Sequence, residues 1–226
     1  MTVTTTGLTR AAGISAAAAG LIFIAVQINH PPMDLASVAS TDWVVRNTAK
    51  VVMAALALVG ITGMYLRQVR QAGVLGLVGY LLFGIGYLLM FSVGAVGAFV
   101  LPTLVDVAPN YVNDVVVAAF GGTPAGDIGA MKTVLAISGV GYMLGGLLFG
   151  VALFRARILA RWAAALLAVG TVATVSLAVL PESFNRPMAV PVGVALIGLG
   201  VSLWRDQRTS GTATPAASTR IEHAAV

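Results

Sequence analysis

Six long apolar runs, at 11–28, 43–66, 73–101, 131–154, 162–180 and 188–204, divide this chain, and the charges between them are sorted by sign. Taken alternately from the N-terminus, one set of gaps holds Arg10, Arg67, Arg70, Arg155, Arg157, Arg161, Arg205, Arg208 and Arg220 against Asp206 and Glu222, a net +7. The other set holds Arg46, Lys50, Lys132 and Arg186 against Asp34, Asp42, Asp106, Asp114, Asp127 and Glu182, a net −2. A run of about 20 apolar residues spans ~30 Å of hydrocarbon. Short loops rich in Lys and Arg stay on the cytoplasmic side. The pattern therefore predicts an all-α, polytopic bundle of six transmembrane helices, arranged as three antiparallel hairpins with both termini cytoplasmic.

Composition agrees. Apolar residues make up 58% of the chain and charged residues 9%, against about 25% charged in a soluble domain. The gaps leave no room for a separate soluble domain, so residues 1–208 are expected to form one membrane domain and 209–226, rich in Thr, Ala and Ser, a disordered cytoplasmic tail. The first run is longer than the 7–15 apolar residues of a signal core and is expected to be retained. The basic residues sit in short loops at helix ends, where headgroups and topology account for them, so the high isoelectric point does not indicate nucleic-acid binding. The chain has no cysteine and only His30 and His223 as histidines, which excludes thiolate chemistry and bis-histidine haem ligation. No cofactor and no metal is expected. The arginine bias, with heavy Ala, Gly and Val, fits a multi-pass protein of a bacterial inner membrane.

Proline marks the outer ends of the first, third and fifth runs at Pro31-Pro32, Pro102 and Pro181, where a helix cannot continue. The longest gap, 102–130, carries Asp106, Asp114 and Asp127. Within it 111–120 is mostly apolar after Pro109-Asn110 and predicts a short helix capped at Asn110, lying over the bundle. Residues 34–41 form a second outer segment. Longer loops on one face mark that face as the functional one.

Glycines in the fourth run, at 139, 141, 145, 146 and 150, and in the third, at 79, 86, 94 and 97, are placed for close helix packing. Tyr80, Phe83, Tyr87, Met90 and Phe91 share one face of the third helix, and Tyr142 and Phe149 one face of the fourth. They form either a core stripe or an aromatic wall for an apolar ligand. Trp43, Trp162 and Trp204 lie at helix ends and read as interfacial anchors. No acid lies deep in a run, which argues against proton-coupled pumping. Asp42, Arg46 and Lys50 are spaced four apart at the outer end of the second helix, as an ion-paired ladder or as part of an outer vestibule. His30 ends the first helix at the same level and offers acid–base chemistry near neutral pH. Candidate ligand-contacting residues are thus His30, Arg46, Lys50, Tyr80, Phe83, Tyr87 and Tyr142. Phosphate-binding, zinc-protease and serine-hydrolase motifs are absent.

Several segments carry a resemblance: the His-Pro-Pro at 30–32, the stretch from Phe149 to Arg157, that from Arg161 to Gly170, and Pro191 to Leu196. On these the chain resembles small six-pass bacterial membrane proteins. In size and pass number it is also similar to the integral-membrane terpene cyclases of bacterial meroterpenoid and indole-terpenoid pathways. The likeness is global and matches no functional residue one by one. It implies acid-initiated cyclisation of an amphipathic, prenylated substrate within the membrane, with a protonated carboxyl as catalyst. Asp106, Asp114, Glu182 and Asp42 are the candidate acids, because each flanks a helix end beside aromatic residues. The alternative is a carrier or accessory protein that binds or passes a small hydrophobic molecule without chemistry. Partners in either case are that molecule and membrane lipids.

Overall fold

The computed structural model describes residues 2–173 and 187–211, all in helices and their connections. The elements are α1 (Thr5–Ala25), α2 (Leu35–Val38), α3 (Thr41–Arg67), α4 (Val69–Phe99), α5 (Leu101–Leu104), α6 (Pro109–Ala119), α7 (Ala130–Ala156), α8 (Arg161–Ala173) and α9 (Val190–Gly211). Four of them, α1, α3, α4 and α7, are long and apolar enough to cross a membrane. The helix of the fifth apolar run is described over 13 residues as α8, and the rest of that run lies outside the described residues. The sixth run forms α9, which continues to Gly211 into the segment expected to be tail; residues 212–226 lie outside the described part.

The long helices pack in chain order and close on themselves: α1 on α3, α3 on α4, α4 on α7, α7 on α8, α8 on α9, and α9 back on α1. Each pair is antiparallel. On α1, Gly13 faces Gly200 and Trp204 of α9 while Gly20 faces Gly193. Gly60 and Gly63 of α3 descend onto Ala16 and Ala12 of α1. One end of the bundle therefore gathers Arg10, Arg67, Arg70, Arg155, Arg157, Arg161 and Arg205, and the other carries Asp34, Asp42, Asp106, Asp114 and Asp127. These are called the arginine end and the cap end.

Small residues set the spacing. On α7 the 141/145 pair meets α4 at Gly86 and Phe83, while the 146/150 pair meets α8 at Thr171 and Ala168. A Cβ on Gly145 would collide with the Phe83 backbone, and one on Gly79 with that of Phe149. Backbone-to-backbone approach of this kind yields dispersion contacts that lipid cannot match. The glycines of α4 do not serve a single neighbour. Gly79 and Gly86 receive α7, whereas Gly94 and Gly97 receive Val51 and Asn47 of α3. Gly73 has φ +57 and breaks α4 one turn after its start, so the helix proper begins where the third apolar run begins.

At the cap end, α6 lies over the bundle, as the apolar 111–120 segment predicts. It starts two residues earlier than expected: Pro109 occupies the first turn and Ala108, not Asn110, is the N-cap. Proline suits that turn because its missing N–H has no helical partner there. Val112, Val115 and Val116 of α6 are buried with Val38, Trp43, Leu101 and Ile128 in a second apolar core distinct from the main one. As expected, α4 ends just before Pro102, at Phe99, and Pro102 itself lies in the first turn of the short helix α5.

Candidate functional site

The polar residues of the cap end are built from α3 outward. Asp42 and Arg46 pair at 2.8 Å on the exposed side of its first turns. The Arg46 guanidinium then reaches back to the end of α1, donating from Nη1 to the carbonyls of Val26 (3.2 Å) and Ile28 (2.8 Å) and from Nη2 to that of Asn29 (3.0 Å). Terminal helix carbonyls lack intrahelical donors, and a cation there satisfies them and the helix dipole together. Arg46 thus fastens α1 to α3.

Lys50 departs from that ladder. Two turns separate it from Asp42, and at about 100° per residue it is rotated about 80° from Asp42 but only about 20° from Trp43. Its Nζ lies 3.4 Å from His30 Nε2 and 3.5 Å from Asn47 Oδ1. His30 Nδ1 is 2.9 Å from the Pro31 carbonyl. A carbonyl can only accept, so Nδ1 carries the proton, and Nε2 is left to accept from the Lys50 ammonium. His30 also meets the Trp43 ring edge-on, with centroids 6.3 Å apart.

Trp43 is not the interfacial anchor its position at a helix end predicts. It is buried, and its indole N–H donates 2.9 Å to the Gly97 carbonyl of α4. Asn47, one turn on, is also buried and donates to the Trp43 carbonyl. The signal available in the sequence was the spacing of Trp43, Asn47 and Lys50, which lines them along one face of α3. Trp162, by contrast, is exposed, as an anchor would be.

Trp43, Asn47 and Lys50 form one side of a cavity of about 170 Å³ lined by α3, α4, α5, α6 and the start of α7. Its other walls are apolar: Met90, Val93, Gly94, Val96, Gly97 and Leu101 below, Val115, Val116, Ala119 and Phe120 of the cap above, and Met131. The arrangement presents a cation, an amide and an indole to a pocket otherwise suited to hydrocarbon.

The candidate acids are placed elsewhere. Asp114 is buried, but its two oxygens accept the N–H groups of Ala125 and Gly126, each at 2.9 Å, and so fold the 120–129 segment under α6. Asp106 is exposed in the connection between α5 and α6. Asp42 serves Arg46. Glu182 lies outside the described residues. None of the described acids lines the cavity. Asp34 caps α2 by accepting the Ser37 N–H at 2.7 Å, and that bond holds its carboxyl below the ordinary 3.8.

The aromatic candidates lie deeper, toward the middle of the bundle. Tyr80 stacks on Tyr65, with centroids 4.7 Å apart, and its hydroxyl meets Thr62 Oγ1 at 3.1 Å. Phe83, Tyr87, Tyr142 and Phe149 form one buried cluster between α4 and α7, with Phe83 4.8 Å from Tyr87 and Tyr87 5.6 Å from Tyr142. Met90, one turn beyond Tyr87, separates this cluster from the cavity. The sequence-predicted set thus divides into Lys50 and His30 at the cap end, Arg46 as a helix fastener, and an aromatic core. Among the described residues no group of acids and histidines is placed to hold a metal. No family model matches this chain, and neither a curated protein nor a solved structure shows significant similarity to it.

Proposed function

We propose that this is a six-pass membrane protein with both termini cytoplasmic, which binds an amphipathic small molecule through a polar, anionic head at the cap end. The observation that carries this reading is the cap-end cavity, apolar on most sides and polar only at Lys50, Asn47 and Trp43. An ammonium beside an apolar wall favours a carboxylate or phosphate attached to hydrocarbon. Pockets that enclose a whole drug-sized ligand have ~300–1,000 Å³. A volume of about 170 Å³ suits a head group, with the tail left to run between helices or into lipid.

The same magnitudes weigh against acid-initiated cyclisation of a prenylated substrate. That chemistry needs an enclosed aromatic chamber with a carboxyl aimed into it. Here the aromatic cluster packs on itself, and Asp42 and Asp114 are engaged by Arg46 and by backbone amides. The binding or carrier role therefore takes precedence over the enzyme.

The test uses the full chain in lipid nanodiscs. Quenching of Trp43 fluorescence, with Trp162 and Trp204 replaced by Phe, should report saturable binding of a farnesylated aromatic acid. The uncharged alcohol analogue should bind more weakly. A charge-assisted hydrogen bond contributes about 1.5–3 kcal/mol, so Lys50→Gln should weaken the acid by roughly 10-fold or more and leave the alcohol unchanged. Equal affinity of wild type and Lys50→Gln for the acid would defeat the head-group reading. Conversion of the substrate to a cyclised product, lost on Asp42→Asn, Asp106→Asn, Asp114→Asn or Glu182→Gln, would establish the cyclase instead.

A further inference from the structure

At the arginine end of the bundle a groove of about 620 Å³ runs between α9 and the start of α8. On α9 it is lined by Val194, Ile197, Gly198, Val201, Ser202 and Arg205. Those positions recur at helical spacing and form a single stripe along the helix. At 1.5 Å per residue the stripe is about 16 Å long, close to the ~15 Å of one leaflet of hydrocarbon.

Polarity is graded along this stripe. Its deep part, from Val194 to Val201, is apolar, and its polar residues gather at the arginine end. Two of them are already engaged. Ser202 Oγ accepts the Ala160 N–H at 2.9 Å and so ties the start of α8 to α9. Asp206, also in the lining, pairs with Arg67, which balances its charge. Arg205 is exposed at the mouth, and exposed Arg157 and Arg161 bracket the segment that supplies Ile158 and Ala160 to the groove. The mouth is therefore net positive. Trp162 forms the facing wall. A Cβ on Gly198 would lie 2.4 Å from its ring, so the glycine lets the indole rest against α9, while 57% of the residue stays exposed. Indoles settle at the headgroup level of a bilayer.

We infer that this groove holds one anionic phospholipid of the leaflet at the arginine end. Its phosphate sits on Arg205, and one acyl chain lies along Val201, Ile197 and Val194 against Trp162. Charge complementarity selects the occupant: a guanidinium offers a phosphate two parallel N–H donors, and a net positive mouth between membrane helices favours an anionic headgroup. The site rests on α9 crossing a membrane, and not on what the cap-end cavity binds.

The test is native mass spectrometry of the full chain released from nanodiscs of phosphatidylcholine and phosphatidylglycerol in equal parts. One phosphatidylglycerol per chain should be retained in preference to phosphatidylcholine. Arg205→Gln should weaken that retention by about 5-fold or more, the effect of one arginine at a membrane surface. Arg70→Gln, which removes an exposed charge of α4 at the same end but outside the groove, should leave it unchanged. Val201→Trp fills the groove at an exposed position without altering charge, and should also displace the lipid. Equal effects of Arg205→Gln and Arg70→Gln, or full retention in Val201→Trp, would overturn the site. Loss of the lipid in dimers, or its binding only once residues 212–226 are removed, would give the groove to a second copy or to the chain's own C-terminus. A chain that does not enter the bilayer would overturn the crossing of the membrane and the site with it, whereas entry without lipid selection would overturn the site alone.

Discussion

Asp114 shows how a residue's chemistry depends on what its neighbours ask of it. An acid in an apolar outer segment is a reasonable general-acid candidate from its position alone. In the fold its oxygens are taken by the amides of Ala125 and Gly126, eleven and twelve residues on. Asp114→Ala should speed hydrogen exchange at those two amides by about 10-fold or more, the loss expected for bonds to a charged acceptor. Asp114→Asn should have a smaller effect, because an amide oxygen still accepts. Unchanged exchange in Asp114→Ala would return the carboxylate to the list of groups available for chemistry. The same lesson applies to Arg46. Its spacing from Asp42 made an i,i+4 pair legible, but the three carbonyls of Val26, Ile28 and Asn29 come from the turn that follows α1 and have no local signature.

At the level of elements, the α4–α7 seam depends on which glycines face it. Gly139 and Gly145 look equivalent in a glycine-rich run, yet a Cβ at 139 meets nothing within 4 Å, whereas at 145 it would strike Phe83. Gly145→Ala should therefore destabilise the protein by about 1–3 kcal/mol through overpacking. Gly139→Ala should be neutral or stabilise by up to about 1 kcal/mol, the helix-propensity difference. Unfolding of the two variants in the same lipid, by thermal or denaturant titration, separates them. Equal effects would mean that the seam does not rely on backbone contact. The cap helix α6 follows a different logic. Its valines were recognisable as a face in need of cover, but the partners that cover it, Val38, Trp43, Leu101 and Ile128, come from four separate segments.

For the whole molecule, the strongest expectation is topological. The chain contains no cysteine, so single cysteines placed at exposed positions report sidedness cleanly. Asp106→Cys should react with an impermeant reagent from outside intact cells, and Gln71→Cys only after lysis. Reaction of both from the same side would refute the six-crossing arrangement. The all-helical architecture with long apolar helices, the clustering of arginines at one end of the bundle, the cap helix over the other end and the role of small residues in packing were legible in the linear chain. Each rests on local composition or on periodicities of a few residues, which bilayer thickness and helix geometry convert directly into structure. Only the tertiary structure decided that Trp43 and Asn47 face a cavity with Lys50, that Arg46 and Asp114 are structural ties, and that Tyr87 and Tyr142 are buried together in one ring cluster. Those outcomes depend on which helix faces meet across gaps of tens of residues, and in a chain that is apolar nearly all round, hydrophobic periodicity does not say which face turns inward.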